Sequence, residues 1–568
     1  VCCLVALSLL AASCGGRKLE DVGKATSLAS RGMTAADGES GLAQAGEPVR
    51  GGTLVYGLEA DSSGGYCLPE GQLAISGMMV VRAVYDTLTV PNANGGYTPY
   101  LASAVTPNKT YDLWTIKLRP HIKFHDGSKL TATVVKNNID AYRGQYPGRS
   151  PLLFTFVLSN IDTVTVKDEL TLQVKTKVPW VGFPAFLYSS SRFGIMAQAQ
   201  LDDKKTCDRK LIGTGPFVFK SWTPNEKMVL KRNPHYWQIA PDGKPYPYLD
   251  GLEFRAMPDS SIRNNAIQSG EIQAMHTSNA DDMVNVLYGL RQSGQINMYV
   301  SEDNAEISFL QLNHTKPPFD DPRMREALAI GADRSKINIS QNAGGPTVAD
   351  GPFAPGSIAY LPNPGFPKYD LAKAKRLVKE YVADGGKASF NLTCTTDPST
   401  VRLAELIQQR AAETGVKVKI IKREQAALIN DAIGKKYQAM TFRNYPGGDP
   451  DINYVWWYSA NSNPVNFGGW NDPVVDKLLD QGRSETDPAK RKKIYQDLNR
   501  RMATQVHGVW SWFTPWAIVE RPNVHGILGP PLPPADITGP GLATTTDKDH
   551  LPNSGLATGH SLIGMWIS

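Results

Sequence analysis

The chain has 568 residues, 41% of them hydrophobic and 20% charged, the make-up of a soluble globular protein long enough for about two or three cores. Its formal net charge of +6 is small for that length and no long block of like charge occurs, which argues against nucleic acid as a partner. G-x-S-x-G, H-E-x-x-H, Walker and paired metal-ligand spacings are all missing, so neither catalysis nor a cofactor is expected.

Cys2 to Ala12 is an apolar or small-residue run of signal-peptide length, too short to span a bilayer, and it leads into Ser13-Cys14. Gly15 to Arg50 is rich in Gly, Ser and Ala without sustained periodicity and reads as a tether. Thr53 to Leu58 is predicted as a strand, followed by a loop from Glu59 to Leu68. A helix around Met78 to Asp86 comes next.

From Trp114 the residues Ile116, Leu118, Ile122 and Phe124 alternate with polar neighbours, the pattern of a strand pair broken at Pro120. His125-Asp126-Gly127 supplies a turn. Thr131 then stands as N-cap of a helix burying Val134, Val135, Ile139 and Tyr142. Phe217 to Trp222 and Met228 to Arg232 read as a hairpin, and Ser260 to Ile272 as a helix. Glu306 to Asn313 is predicted as a strand. Beyond it, helices (Pro322 to Ala332, Leu371 to Val382, Val401 to Thr414) alternate with strands (Ala388 to Thr395, Lys417 to Ile421, Gln438 to Phe442), which implies a sheet covered on both faces. Lys490-Arg491-Lys492-Lys493, the densest basic run, opens a helical pattern and reads as a solvated helix face.

Lys117-Leu118-Arg119-Pro120, Lys123-Phe124-His125-Asp126-Gly127 and Leu130-Thr131-Ala132 together resemble the signature segment of the family 5 extracytoplasmic solute-binding proteins, the peptide, dipeptide and nickel binders of ABC importers. Further words of that family follow in order: Gly213-Thr214-Gly215-Pro216-Phe217, Arg232-Asn233-Pro234, Pro318-Phe319-Asp320-Asp321-Pro322-Arg323 and Asn471-Asp472-Pro473. The resemblance extends from about Gly51 to about Gly526. It implies an α/β, two-lobed periplasmic-binding-protein-like fold (type II, large cluster C type) with a hinge of two crossings and an insertion subdomain in lobe I. The expected divisions are 1–13 signal peptide with part of its n-region, 14–50 lipidated Cys and tether, 51–90 lobe I, 91–190 insertion, 191–305 lobe I, 306–514 lobe II, and 515–568 return to lobe I with a tail. The tail beyond Leu528 is unreadable from pattern.

Leu10-Ala11-Ala12-Ser13-Cys14 resembles a bacterial lipobox with Ala11 in place of the usual Leu, implying acylation of Cys14; plain secretory cleavage after Ser13 is the alternative. Cys67, Cys207 and Cys394 remain in the exported body. Cys67 and Cys207 both fall in lobe I segments and are the expected disulfide, with buried free thiols the alternative.

The expected ligand site is Phe442 to Asp451, at the end of a lobe II strand, with Glu59 contributed by the loop after the first strand. In peptide-binding relatives an Asp in this stretch pairs with the ligand ammonium, and the alignment puts Asn444 there. Either Asp449 or Asp451 supplies the charge instead, or the ligand lacks a free amine; turn capping is the alternative role for both aspartates. Tyr445 and Trp470, beside Gly-containing loops, are the expected stacking pair. The resemblance thus implies a monomeric, membrane-anchored receptor that passes a peptide or other small solute to ABC permease subunits. The rival reading is a family member without transport that acts as an envelope regulator or scaffold.

Overall fold

The structure, a computed structural model, describes residue 28, residues 46–535 apart from 63, 93–95, 152, 445–446, 461 and 528, and residues 562–568. The expected signal peptide, Cys14, most of the tether and Tyr445 lie outside the described residues. In chain order the strands are β1 (Thr53–Leu58), β2 (Thr89–Pro91), β3 (Tyr97–Pro99), β4 (Ala102–Pro107), β5 (Leu113–Leu118), β6 (Ile161–Val166) and β7 (Thr171–Thr176). Next come β8 (Phe217–Thr223), β9 (Lys227–Arg232), β10 (Gly251–Ala256), β11 (Ala274–Thr277) and β12 (Asn297–Leu312). The last are β13 (Ser389–Thr395), β14 (Lys417–Arg423), β15 (Ala439–Asn444), β16 (Gly508–Glu520), β17 (Val524–His525) and β18 (Trp566–Ile567).

Ten of these described strands form one sheet in the order β14-β13-β15-β12-β16-β11-β1-β10-β9-β8. The central pair, β12 and β16, divides it into two lobes. On one side β16 pairs with β11 of lobe I, and on the other β12 pairs with β15 of lobe II. β12 has 16 residues, which at about 3.3 Å each is long enough to cross from one lobe to the other. Its antiparallel register with β16 slips between Ser301 and Glu306, so the ladder is interrupted where the chain passes between lobes. The strand therefore begins at Asn297, nine residues before the alternation at Glu306 made it legible.

The signature segment builds a second sheet, β4-β5-β7-β6, that carries the helix Ala132–Tyr142. Thr131 caps that helix by accepting from the Val134 amide, and Val135, Ile139 and Tyr142 are buried beneath it. The expected second strand after Pro120 is reduced to one bridge between Lys123 and Lys129. His125 explains why the turn has its sequence. Its imidazole accepts from the Gly213 amide and contacts the Gly215 carbonyl, while a Cβ at Gly213 would lie 2.0 Å from the Val84 carbonyl oxygen. Only glycine allows that approach.

In lobe II the helices Pro322–Ile330, Pro398–Glu413, Pro473–Ser484 and Pro488–Thr504 each start with proline behind a capping aspartate: Asp321, Asp397, Asp472 and Asp487. Cys67 and Cys207 are joined by a disulfide, and Cys394 is free and buried. The chain end also returns to lobe I. β18 pairs with β17, and Met565 and Trp566 are buried in the lobe I core. One tether residue is fixed as well: Leu28 is buried and its amide donates to the Gly345 carbonyl.

Candidate functional site

The lobes meet where β1, β11, β12, β15 and β16 run together. Glu59 follows β1 directly, and its carboxylate accepts from the Ser278 amide at 2.6 Å, the Ser278 hydroxyl at 2.9 Å, the Thr277 hydroxyl at 3.1 Å and Arg263 at 3.4 Å. Burial pushes the Glu59 carboxyl up, but Arg263, His276, Arg443 and the Ser278 amide outweigh it and hold it below the ordinary value. His276 lies beneath. Its Nε2 accepts from the Glu59 amide at 3.1 Å, and burial pulls the ring down to about 4, so it is neutral at physiological pH.

Arg443 reaches this cluster from lobe II. Its Nη1 donates to the Ser278 hydroxyl at 2.8 Å and lies 3.6 Å from Glu306, whose Oε2 also accepts from Trp516 Nε1 at 3.1 Å. The register accounts for this convergence. Arg443 stands opposite Ser308 and Asn444 opposite Ile307, so Arg443 shares a sheet face with Glu306 and Ser308. Asn444 is buried on the other face with Ile307, a residue of the lobe II core. The sequence alignment put the site at Asn444; the side chain that meets lobe I is one residue earlier. A one-residue shift exchanges faces.

The expected aspartates are engaged inside the protein. Asp449 caps the short helix Pro450–Asn453 through the Asp451 amide and holds Arg491 by two hydrogen bonds, 2.9 and 2.7 Å long. Asp451 is fully buried, accepting from Trp180 Nε1 at 2.6 Å and from Arg483 at 3.1 Å. Turn capping describes Asp449 and internal ion pairing both residues, and neither offers a free carboxylate to an ammonium. Arg491 also departs from the solvated face expected of its basic run. It is buried because Asp449 needs a counter-charge there.

This second cluster joins the insertion to lobe II. The Val181 amide donates to the Arg483 carbonyl at 2.8 Å, and the Arg483 guanidinium lies 3.4 Å from the Tyr454 ring centroid and 4.7 Å from that of Trp180. A Cβ at Gly182 would meet the Asp451 side chain at 3.0 Å. Trp470, the other expected stacking residue, belongs to the lobe II core. Its indole donates to the Trp457 carbonyl, and its ring packs beside His314 and His507. The neighbouring glycine serves this packing, because a Cβ at Gly468 would come within 2.4 Å of the Trp470 ring. Arg443 falls inside the expected stretch Phe442 to Asp451 without being marked there as a contact, while Glu306, Ser278 and Trp516 lie outside it. Their one local signal is the alternation of Glu306 with Ser308, and the partner strands come from distant parts of the chain.

The sequence matches the family described as bacterial extracellular solute-binding proteins, family 5 Middle, over residues 96–466. It is 26% identical over 393 residues to the glutathione-binding protein GsiB of Pectobacterium atrosepticum, covering 68% of this chain and 74% of that protein. The fold is similar to that of the ABC transporter-associated periplasmic binding protein DppA from Helicobacter pylori in complex with the peptide STSA. That match has a TM-score of 0.76 and 23% identity, covering 84% of this chain and 96% of that one. The binding protein AgaA in complex with agropinic acid, from A. tumefaciens R10, also has a TM-score of 0.76, with 24% identity and coverage of 91% and 99%.

Proposed function

The chain belongs to the family 5 bacterial extracellular solute-binding proteins, and from that premise we propose that it captures short peptides or peptide-like solutes between its lobes, held to the membrane by lipid on Cys14. It is a solute receptor of ABC importers rather than an enzyme. Ligand contacts from both lobes exist only when the lobes are together, so binding shifts the population toward the shut form. The bound solute is then presented to the permease.

The observation that carries this reading is the Arg443–Ser278 contact beside the two crossing strands. It brings a lobe II side chain onto a polar cluster of lobe I at the place where a hinge movement would separate or join them. Relatives described as binding glutathione or the peptide STSA support a solute with amide bonds, and the agropinic acid complex widens that class to acidic amino-acid derivatives. Glu59 and Arg443 are the proposed cleft residues. Titration calorimetry with a pool of di- to pentapeptides tests the proposal: saturable heat is expected, and its absence across the pool contradicts it.

A further inference from the structure

We infer that Arg443 determines the specificity of this cleft and selects solutes with an anionic group, a carboxylate that takes its unused guanidinium nitrogens when the lobes close. The inference rests on the receptor reading above and names the charge of the solute. Arg443 Nη1 is committed to Ser278 and lies near Glu306, but among the described residues Nε and Nη2 have no hydrogen-bond acceptor. The side chain is 44% exposed, in contrast to the buried Arg483 and Arg491 of the neighbouring cluster.

The nearby carboxylates cannot answer that demand. Glu59 accepts from four donor groups of lobe I, and Glu306 is shared between Trp516 and Arg443 itself. Burial raises the Glu306 carboxyl, and Arg443, Trp516 and Arg192 offset that only in part. Asp397 acts on Arg443 together with Glu306 and Glu59, but among the described residues none of the three carboxylates takes its Nε or Nη2. Closing over a solute takes Arg443 further out of water, a step that costs heavily unless an acceptor replaces the lost hydration. A planar carboxylate matches the two free N–H groups of a guanidinium in direction and charge. Asp449 and Asp451 offer a ligand ammonium no such vacancy, since they are held by Arg491 and Arg483.

The test uses two tripeptide pools of matched sequence on the full chain, one with central Glu and free C-terminal carboxylates, the other with central Gln and C-terminal amides. Calorimetry is run on the unmodified protein, Arg443→Gln and Arg443→Lys, with circular dichroism and melting curves establishing that each variant is folded. The acidic pool is expected to bind at least about tenfold more tightly than the amidated pool, the scale of a charge-assisted hydrogen bond. Arg443→Gln should abolish that preference and Arg443→Lys keep part of it. Equal binding of the pools, or a preference that survives Arg443→Gln, overturns the inference while leaving the receptor reading standing. Binding of neither pool removes the peptide reading and this inference with it.

Discussion

Trp180 and Asp451 are 271 residues apart, yet the indole of one donates a 2.6 Å hydrogen bond to the carboxylate of the other inside a site closed to water. The bond ties the insertion subdomain to lobe II, with Arg483 stacked between Trp180 and Tyr454 as the counter-charge. Removing one member of such a pair leaves the other charge buried and unmatched. Asp451→Asn is expected to lower unfolding free energy by about 3–5 kcal/mol in urea titrations. If Asp451 were instead a ligand anchor, the variant would keep its stability and lose affinity.

The pH dependence of stability should carry a signature from Glu520, at the lobe I end of β16. Its carboxyl is buried, accepts from Tyr299 at 3.1 Å, and has one oxygen without a partner among the described residues, and burial pushes it up to about 8. Because the folded state holds this proton more tightly than the unfolded chain, stability is full below the ordinary carboxyl range and falls as pH rises toward about 8. Glu520→Gln keeps the shape and removes the titration. Denaturant midpoints measured from pH 5 to pH 9 are expected to decline less in the variant, and identical slopes would contradict the assignment.

How much of this was readable beforehand follows from how local each signal is. The Asp-Pro start at 321–322 lies within one helical turn of the groups it caps and marks the helix at Pro322, whereas the helix capped by Asp397 reads from its apolar spacing as starting at Val401, one turn late. The lobe boundary on β12 was less legible because the slip between Ser301 and Glu306 breaks the period of two that marks a strand. The choice between Asn444 and Arg443 depends on pairing with β12, which lies more than a hundred residues away, and no local pattern fixes that register. Trp470 illustrates the same limit. Glycines beside an aromatic residue mark an exposed loop or a ring folded back on the backbone, and only the packing distinguishes the two.

The C-terminal return should matter for stability rather than for binding. Trp566 is buried in the lobe I core and its ring lies 4.3 Å from that of His525. Trp566→Ala is expected to cost about 3–5 kcal/mol in denaturant unfolding. A variant as stable as the parent would show that the strand pair β17–β18 contributes nothing to lobe I.

Membrane attachment has its own readout. Expressed in a bacterial host with labelled palmitate, the full chain should incorporate label and pellet with membranes, and Cys14→Ser should do neither. Release of the unaltered protein without lipid would favour plain cleavage after Ser13.

In the proposed mode of capture, two lobes hinged on β12 and β16 close over a solute. Spin labels at Ile239→Cys in lobe I and Tyr369→Cys in lobe II, both exposed positions, report the separation directly by pulsed dipolar spectroscopy. Adding the acidic tripeptide pool is expected to shift the distances to a shorter, narrower distribution, and Arg443→Gln should weaken that shift. A distribution unchanged at concentrations that saturate the calorimetric signal would contradict closure as the mode of capture.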